Sequence, residues 1–361
     1  MSSHKLNTAI LAAAGSRKTE CVAEAALAVA DGRVLITTYT DENQRHIVRR
    51  IEQKVGVLPK HITVMGWFSF LITQCAKPYQ RALTGQPFMI GGLNFKGRRN
   101  RFSKKTDLRY FIDGNADLYR DGVSDFAIQL NAKTNGAVVE RLERIYSNLL
   151  IDEVQDLVGY DLDMLDLLFS SRINLMVVGD PRQHTFATNL GPRNKRYRGA
   201  GLAQWFSERE GQCTLETRNY SYRCNQAICD FADTIFPDMP RTKSREVPAS
   251  GHDGVFTVPA ALLEEYLRDH GPVTALRYDK NADTRGLPVT NIGVAKGSTH
   301  DRVVIFPTKP MVSYLEDGDA SKLKAPEKLY VAVTRARFSV AFVVPDAWPN
   351  KPLHATTYGR A

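Results

Sequence analysis

The chain has 361 residues, of which 43% are hydrophobic and 24% charged, the profile of a globular protein rather than a collagen, a disordered tail or a coiled coil. No apolar run reaches the roughly 18 residues needed to span a bilayer, so no membrane association is expected. Lys and Arg total 48 against 39 Asp and Glu, a formal charge of +9, which permits a polyanionic partner without demanding one.

In chain order, the N-terminal run Thr8 to Ala14 follows His4 and Lys5, an arrangement shared with secretory signals. The run is short, however, and Lys18 and Glu20 follow at once, so it reads as a strand. Short β-rich runs recur at Thr8–Leu11, Val34–Thr38, Ile62–Met65, Asn148–Asp152 and Asn174–Gly179. A second set follows at Val255–Val258, Val273–Arg277, Val303–Pro307 and Val340–Val344. Helical periods lie between them, at Glu20–Ala30, Asp41–Lys54, Gly159–Phe169 and Ala227–Phe236. Strands separated by helical crossovers predict parallel α/β sheets, here two of them, with the first series ending near Arg198. The five cysteines are scattered, with no CxxC. A disulfide framework or structural zinc is therefore not expected, and a reducing, cytoplasmic setting is.

Residues 77–145 interrupt the first series. They contain GGLNFKGRRNRFSKK, where Lys96, Arg98, Arg99, Arg101, Lys104 and Lys105 cluster with Phe95 and Phe102 interleaved. A solvated basic loop has this composition, and so does a nucleic-acid-facing insertion in which cations meet phosphates and aromatics meet bases. A second basic segment runs from Pro192 to Arg198.

The stretch Ala12 to Thr19 (AAAGSRKT) follows a predicted strand and opens a predicted helix, the setting of a phosphate-binding loop. Backbone N–H groups of Ala14, Gly15, Ser16 and Arg17 would cradle phosphate oxygens. Lys18 would neutralise them, and the Thr19 hydroxyl would bind Mg²⁺. The pattern G-x-x-x-x-G-K-[ST] expects Gly at positions 12 and 17, where this chain has Ala12 and Arg17. Arg17 is therefore expected to keep a right-handed backbone with its side chain outward. A second motif, Ser147 to Glu153 (SNLLIDE), is an apolar strand ending in two carboxylates. Asp152 at the strand end suits an Mg²⁺ shell, and Glu153 suits a general base for an attacking water.

These residues carry a family resemblance. Asp152 to Asp156 (DEVQD) resembles the Walker B box of the UvrD/Rep-like superfamily 1 helicases. Further boxes follow in that family's order. Thr38 to Thr40 resembles motif Ia, Gly66 to Phe70 motif Ib, and Val178 to Gln183 (VGDPRQ) the GDxxQ box of motif III. Ser221 to Cys224 resembles motif IV, Lys296 to Ile305 motif V, and Tyr330 to Ala336 (YVAVTRA) motif VI.

The resemblance implies two RecA-like P-loop NTPase domains, residues 1–200 and 201–361, with a small basic insertion in the first and a second accessory subdomain minimal or absent. It implies ATP and Mg²⁺ as cofactors, with Lys18, Thr19, Asp152 and Glu153 from domain one. Gln183 would sense the γ-phosphate, while Arg223 and Arg335 from domain two would stabilise transition-state charge. Tyr222 would stack on the adenine, and Gly297 would lie at the nucleotide. Single-stranded nucleic acid, DNA rather than RNA, would be contacted by Thr38, Tyr39, Trp67, Phe68, Phe186, Tyr197 and Arg198, with Arg98, Arg99 and Arg101 adding phosphate contacts. The implied activity is ATP-driven translocation, 3′ to 5′. The alternative is a nucleic-acid-binding ATP switch that gates a partner, a nuclease or a replication or repair protein.

Three features depart from the family. The room for accessory subdomains is small. Motif III is split, since Tyr197 to Ala200 (YRGA) comes only after Ala187 to Arg196. Motif V lacks its usual His and Glu, with Gly293 and Thr299 in their places, which predicts weak discrimination among nucleoside triphosphates.

Overall fold

The computed structural model describes residues 7–83, 89–97, 99, 102–189, 191–245, 249–278, 280–348 and 352–359. Arg98 and Arg101 lie outside the described residues. The chain divides into two compact units. One comprises residues 1–11 and 18–217, and the other residues 12–17 and 218–361.

The first unit is built on a six-stranded sheet. Its strands are β1 (Asn7–Ala12), β2 (Val34–Thr38), β3 (Ile62–Gly66), β4 (Asn148–Ile151), β5 (Asn174–Gly179) and β6 (Cys213–Arg218), in the order β3-β2-β4-β5-β1-β6. The run from β3 to β1 is parallel throughout. Every residue of β2 is buried, as expected of a parallel strand covered on both faces. The sixth strand lies beyond the predicted end of the series near Arg198. It moves the division between the units to Thr217 and Arg218, past residue 200.

Local signals fix the helices. The helix Asp41–Val55 starts at Thr40, whose hydroxyl accepts from the Asn43 amide at 3.2 Å, and carries Asp41 and Glu42 in its first turn. It stops at Gly56, whose φ of 85° lets its amide reach the Glu52 carbonyl at 2.7 Å. The helix Lys18–Leu27 leaves directly from the candidate phosphate loop.

The insertion is not a separate lobe. Ile90, Phe111, Leu118, Val123 and Phe126 are buried in the same core as Leu35, Leu149 and Val177 of the central strands. A buried carboxylate fastens it further. Asp161, on the helix Tyr160–Phe169, accepts from Trp67 Nε1 at 2.8 Å and from the Val158 amide at 3.3 Å, and also from the hydroxyls of Ser124 and Thr188. Burial pushes its pKa up, and these donors oppose that shift. One side chain thus joins the motif Ib helix, the insertion helix Val123–Lys133 and the loop after motif III.

The second unit repeats the layout. Its sheet contains β7 (Gly254–Pro259), β8 (Thr274–Arg277), β9 (Val289–Asn291), β10 (His300–Phe306), β11 (Ala336–Val344) and β12 (Thr356–Thr357), in the order β9-β8-β10-β11-β7-β12, all parallel. Helices Gln226–Thr234, Lys309–Asp317 and Pro326–Val333 cover one core with Phe231, Tyr314 and Tyr330, and Leu263–His270 covers another with Tyr266. Both units are therefore RecA-like α/β layers. Among the described residues no helix is long and apolar enough to cross a membrane.

Replacing Asp161 by Ala leaves the Trp67 indole and the Ser124 hydroxyl without their acceptor and removes one of two from Thr188. The variant should lose roughly 2–4 kcal/mol of stability, read as a lower denaturant midpoint with an unchanged m-value. An unchanged midpoint would show that the carboxylate is not what joins these elements.

Candidate nucleotide site and aromatic face

In the first unit the sheet order β4-β5-β1 sets three strand ends side by side. Asp152 follows β4, Asp180 follows β5, and Lys18 follows the loop after β1. Such carboxyl ends of parallel strands are where α/β sheets take their ligands. Thr19 Oγ1 donates to Asp152 Oδ2 at 3.1 Å, and Lys18 Nζ lies 4.0 Å from Asp180 Oδ2. The Asp180 amide donates to Gln155 Oε1 at 3.0 Å, and Gln155 Nε2 donates to Glu153. Gln183 Nε2 donates to Asp180 Oδ2 at 2.8 Å. Lys18, Thr19, Asp152, Glu153, Gln155, Asp180 and Gln183 are thereby brought together around these strand ends.

The two aspartates differ electrostatically although both are buried. Burial, and then the charge of Glu153, raises Asp152 toward neutrality; Thr19 and Lys18 only partly oppose this. Burial pushes Asp180 the same way, yet Arg182 and Lys18 hold it below the usual range. Arg182 Nε lies 3.3 Å from Asp180 Oδ1. Glu153 has a left-handed backbone, φ 61° and ψ 39°, and its amide donates to Asp152 Oδ1 at 2.9 Å. For a residue with a Cβ that conformation costs about 1–2 kcal/mol, and strain of this kind gathers at functional sites.

The loop residues Ala12 to Arg17 belong by their contacts to the second unit. Ala13 N donates to Arg218 O at 2.9 Å, Ala14 N to Tyr330 Oη at 3.2 Å, and Tyr222 N to Gly15 O at 2.9 Å. Gly15 has φ 78°, and a Cβ there would meet Ser221 Oγ at 2.3 Å, so only glycine fits. The Ser16 hydroxyl is buried with no hydrogen-bond partner. Arg17 corrects the expectation of a right-handed backbone: its φ is 62°, and its guanidinium lies over Tyr222, 3.9 Å from the ring centroid. The position keeps the left-handed conformation a glycine would take, and the ring supplies contact for the long side chain.

Arg223 and Arg335 bond within the second unit. Arg223 Nη1 donates to Thr334 O at 3.1 Å. Arg335 is almost wholly buried and donates to Val331 O at 3.0 Å and Ser298 O at 3.3 Å. Gly297 is left-handed, at φ 94°.

The expected nucleic-acid residues separate into two groups. Phe186, Tyr39 and Phe68 form a row with centroid spacings of 5.8 and 6.0 Å, and Phe95 of the insertion extends it by 5.9 Å. Phe95 is 58% exposed, which gives the row an open end. Thr37 and Thr38 lie beside it in sequence, buried and with hydroxyls that have no partner. The other group presents no open surface. Trp67 is 1% exposed and bonded to Asp161, and Tyr197 is 6% exposed and donates to Glu208 at 2.5 Å. Arg99 is nearly buried against Asp125 at 2.9 Å and Asp121 at 3.5 Å, so its charge is spent inside the insertion. Arg198 donates to the carbonyls of Asn189, at 3.2 Å, and Gly191, at 2.5 Å. The inserted basic segment is paired but stays exposed: Arg193, 54% exposed, pairs with Asp163 at 2.6 Å, and Arg196, 70% exposed, with Glu208 at 3.7 Å.

Gln155, Asp180 and Tyr330 were given no role by sequence, although all three stand inside the quoted boxes. Phe95 was visible only as one aromatic in a basic run.

Residues 73–190 match the model of the UvrD/REP helicase N-terminal domain. Among curated proteins none matches the chain significantly. Among solved structures, the crystal structure of Arterivirus nonstructural protein 10 (helicase) is similar at 16% identity and a TM-score of 0.48, over 94% of this chain and 60% of that one. The complex of the same Arterivirus protein with DNA gives 17% identity and a TM-score of 0.47, over 95% of this chain and 61% of that one. The chain thus spans about three-fifths of the length of these helicase chains. The segment that holds Asp152, Glu153 and Gln183 is thus similar to the UvrD/REP helicase N-terminal domain.

Proposed function

We propose that the protein is an ATP-dependent translocase or helicase on single-stranded nucleic acid, acting on DNA in the 3′ to 5′ direction by its family resemblance. The observation that carries this reading is the set of Thr19, Asp152, Glu153, Gln155, Asp180 and Gln183 linked by hydrogen bonds at adjacent strand ends, with Lys18 ion-paired to Asp180 at 4.0 Å. Lys18 draws the β- and γ-phosphates to the loop, and the unpartnered Ser16 hydroxyl supports the presence of an anion there. Gln183 reads the terminal phosphate through its bond to Asp180. Glu153 accepts the proton of the attacking water, held in position by Gln155. Arg223 and Arg335 are the arginines assigned to transition-state charge.

Thr19 and Asp152 are the residues that would hold Mg²⁺, and they fit it. Both offer hard oxygens, 3.1 Å apart. Asp152 is a buried acid whose pKa burial and the charge of Glu153 push up, with Thr19 and Lys18 opposing only in part. The ion supplies charge neutralisation on the phosphates.

The row Phe186, Tyr39, Phe68 and Phe95 is the proposed base-stacking path, ending on the insertion. The switch alternative shares this binding chemistry and differs in turnover. Phosphate release with and without single-stranded DNA decides between them, and the motor reading requires stimulation.

Glu153→Gln should keep nucleotide affinity and abolish steady-state turnover, while Lys18→Ala should weaken binding itself, both read by nucleotide titration beside phosphate release. Normal hydrolysis in the Gln variant would remove Glu153 from the role of base. Phe95→Ala should weaken single-stranded DNA binding by about 1–3 kcal/mol in fluorescence anisotropy at fixed salt, the value of one stacked base. Unchanged affinity would end the path at Phe68.

The pH dependence follows from Asp152. Its folded pKa lies above its unfolded value, so the folded state holds the proton more tightly, and stability is lost as pH rises from the ordinary aspartate range toward neutrality. Without metal, Asp152→Asn should therefore melt higher than the parent at pH 8, and the two should converge near pH 4. Mg²⁺ should raise the melting temperature of the parent and leave the Asn variant unmoved. A pH-independent difference would refute the burial argument.

A further inference from the structure

Position 17 is where a loop of this pattern carries glycine, and the backbone there still has the glycine conformation, at φ 62°. An arginine held in that region is strained, and strain persists only where surrounding contacts over-determine it. One such contact is the face of Tyr222. The guanidinium carbon lies 3.9 Å from the ring centroid, well inside the range of a cation–ring interaction. Tyr222 is fixed in its turn. Its amide donates to Gly15 O at 2.9 Å, and its ring meets the edge of Tyr220 at 5.5 Å. Arg245 lies over the Tyr220 ring, 4.4 Å from its centroid. The tyrosine that the proposed function gives to the base is therefore covered, on the face toward the loop, by the residue next to the phosphate-binding lysine.

A planar guanidinium and a nucleobase both use a flat ring face, and one face holds one of them. The guanidinium has an alternative partner that the base does not. It bonds anionic phosphate oxygens in forked geometry, and the loop that carries it is where those oxygens bind. Each added phosphate strengthens that competing attraction.

We propose that Arg17 is a specificity-determining latch on the Tyr222 ring, displaced by the phosphate chain of the incoming nucleotide, so that the site favours triphosphate over diphosphate. The inference rests on the nucleotide-binding reading above. With the nucleotide absent, the guanidinium occupies the ring. A triphosphate draws it onto phosphate oxygens and opens the face to the base. A diphosphate draws it less and competes with it for the ring.

The test titrates fluorescent N-methylanthraniloyl ADP, and the corresponding non-hydrolysable triphosphate analogue, against the parent, Arg17→Gly, Arg17→Ala, Tyr222→Leu and the Arg17→Gly/Tyr222→Leu double variant. Arg17→Gly should tighten the diphosphate about three- to tenfold, the size of an exposed or partly desolvated cation–ring contact. It should tighten the triphosphate less, so the preference between the two falls. Arg17→Ala should act alike, because it removes the guanidinium while keeping the left-handed backbone strain. In the Tyr222→Leu background the glycine substitution should have no effect on the diphosphate. Tightening in Arg17→Gly alone would assign the effect to backbone relief and overturn the latch, as would an equal effect with Tyr222 removed or an unchanged preference. Binding that is intact in the parent but indifferent to position 17 removes only the latch. Absence of binding in the parent and every variant removes the nucleotide-site reading with it.

Discussion

The site depends on one electrostatic constraint: three carboxylates, Asp152, Glu153 and Asp180, sit in or beside low-dielectric surroundings at the ends of two paired strands, β4 and β5. Burying an acid without a partner is costly, and real proteins answer with cations, donors or a shifted pKa. This chain answers differently at each position. Asp180 receives Arg182, Lys18 and Gln183, and stays an anion. Asp152 receives the Thr19 hydroxyl, the Glu153 amide and a share of Lys18, and still shifts toward neutrality. The strand end that is satisfied organises the lysine and the glutamine; the other, short of positive charge, is the one that the proposed function gives to Mg²⁺.

Topology is what makes a single lysine serve both acids. The order β4-β5-β1 places β1 beside β5 within the first unit, where Lys18 lies against Asp180 while Thr19 reaches Asp152. A register slip or an antiparallel strand at β5 would break that adjacency, because parallel strands bring all their carboxyl ends to one edge. The same geometry explains why Gln155 matters. Its amide group bridges the Glu153 carboxylate and the Asp180 backbone, and so ties the proposed general base to the aspartate that pairs with Lys18.

Much of this was legible in the sequence, because strand runs such as Val34–Thr38 are continuous and apolar, and the chemistry-bearing residues stand at their ends. The motif boxes supplied the pairing of Lys18 and Thr19 with Asp152 and Glu153 before any coordinates. What was not legible depended on long-range partners. Arg99 reads as a surface cation in a basic run, and only the fold shows Asp125 and Asp121 meeting it. Trp67 and Tyr197 read as stacking faces, and only the fold turns their polar atoms inward to Asp161 and Glu208. The strand Cys213–Arg218 (CTLETR) alternates polar and apolar residues, as an edge strand does, and lacks the continuous run that marked its neighbours.

Backbone strain separates the last two positions from the rest. Arg17 and Glu153 are both left-handed without being glycine, and each stands beside a residue that the proposed chemistry uses, Lys18 in one case and Asp152 in the other. Arginine and glutamate gain nothing from that backbone themselves. At Glu153 the twist carries the amide to Asp152 Oδ1 and leaves the carboxylate on Gln155, so one residue serves two neighbours. At Arg17 it carries the guanidinium back over Tyr222. A right-handed backbone at either place would change the direction in which the side chain leaves the main chain, and with it these contacts. The chain therefore keeps the glycine conformation at position 17 while using a residue that glycine would have spared the strain, which is the pattern expected when the side chain itself has a task.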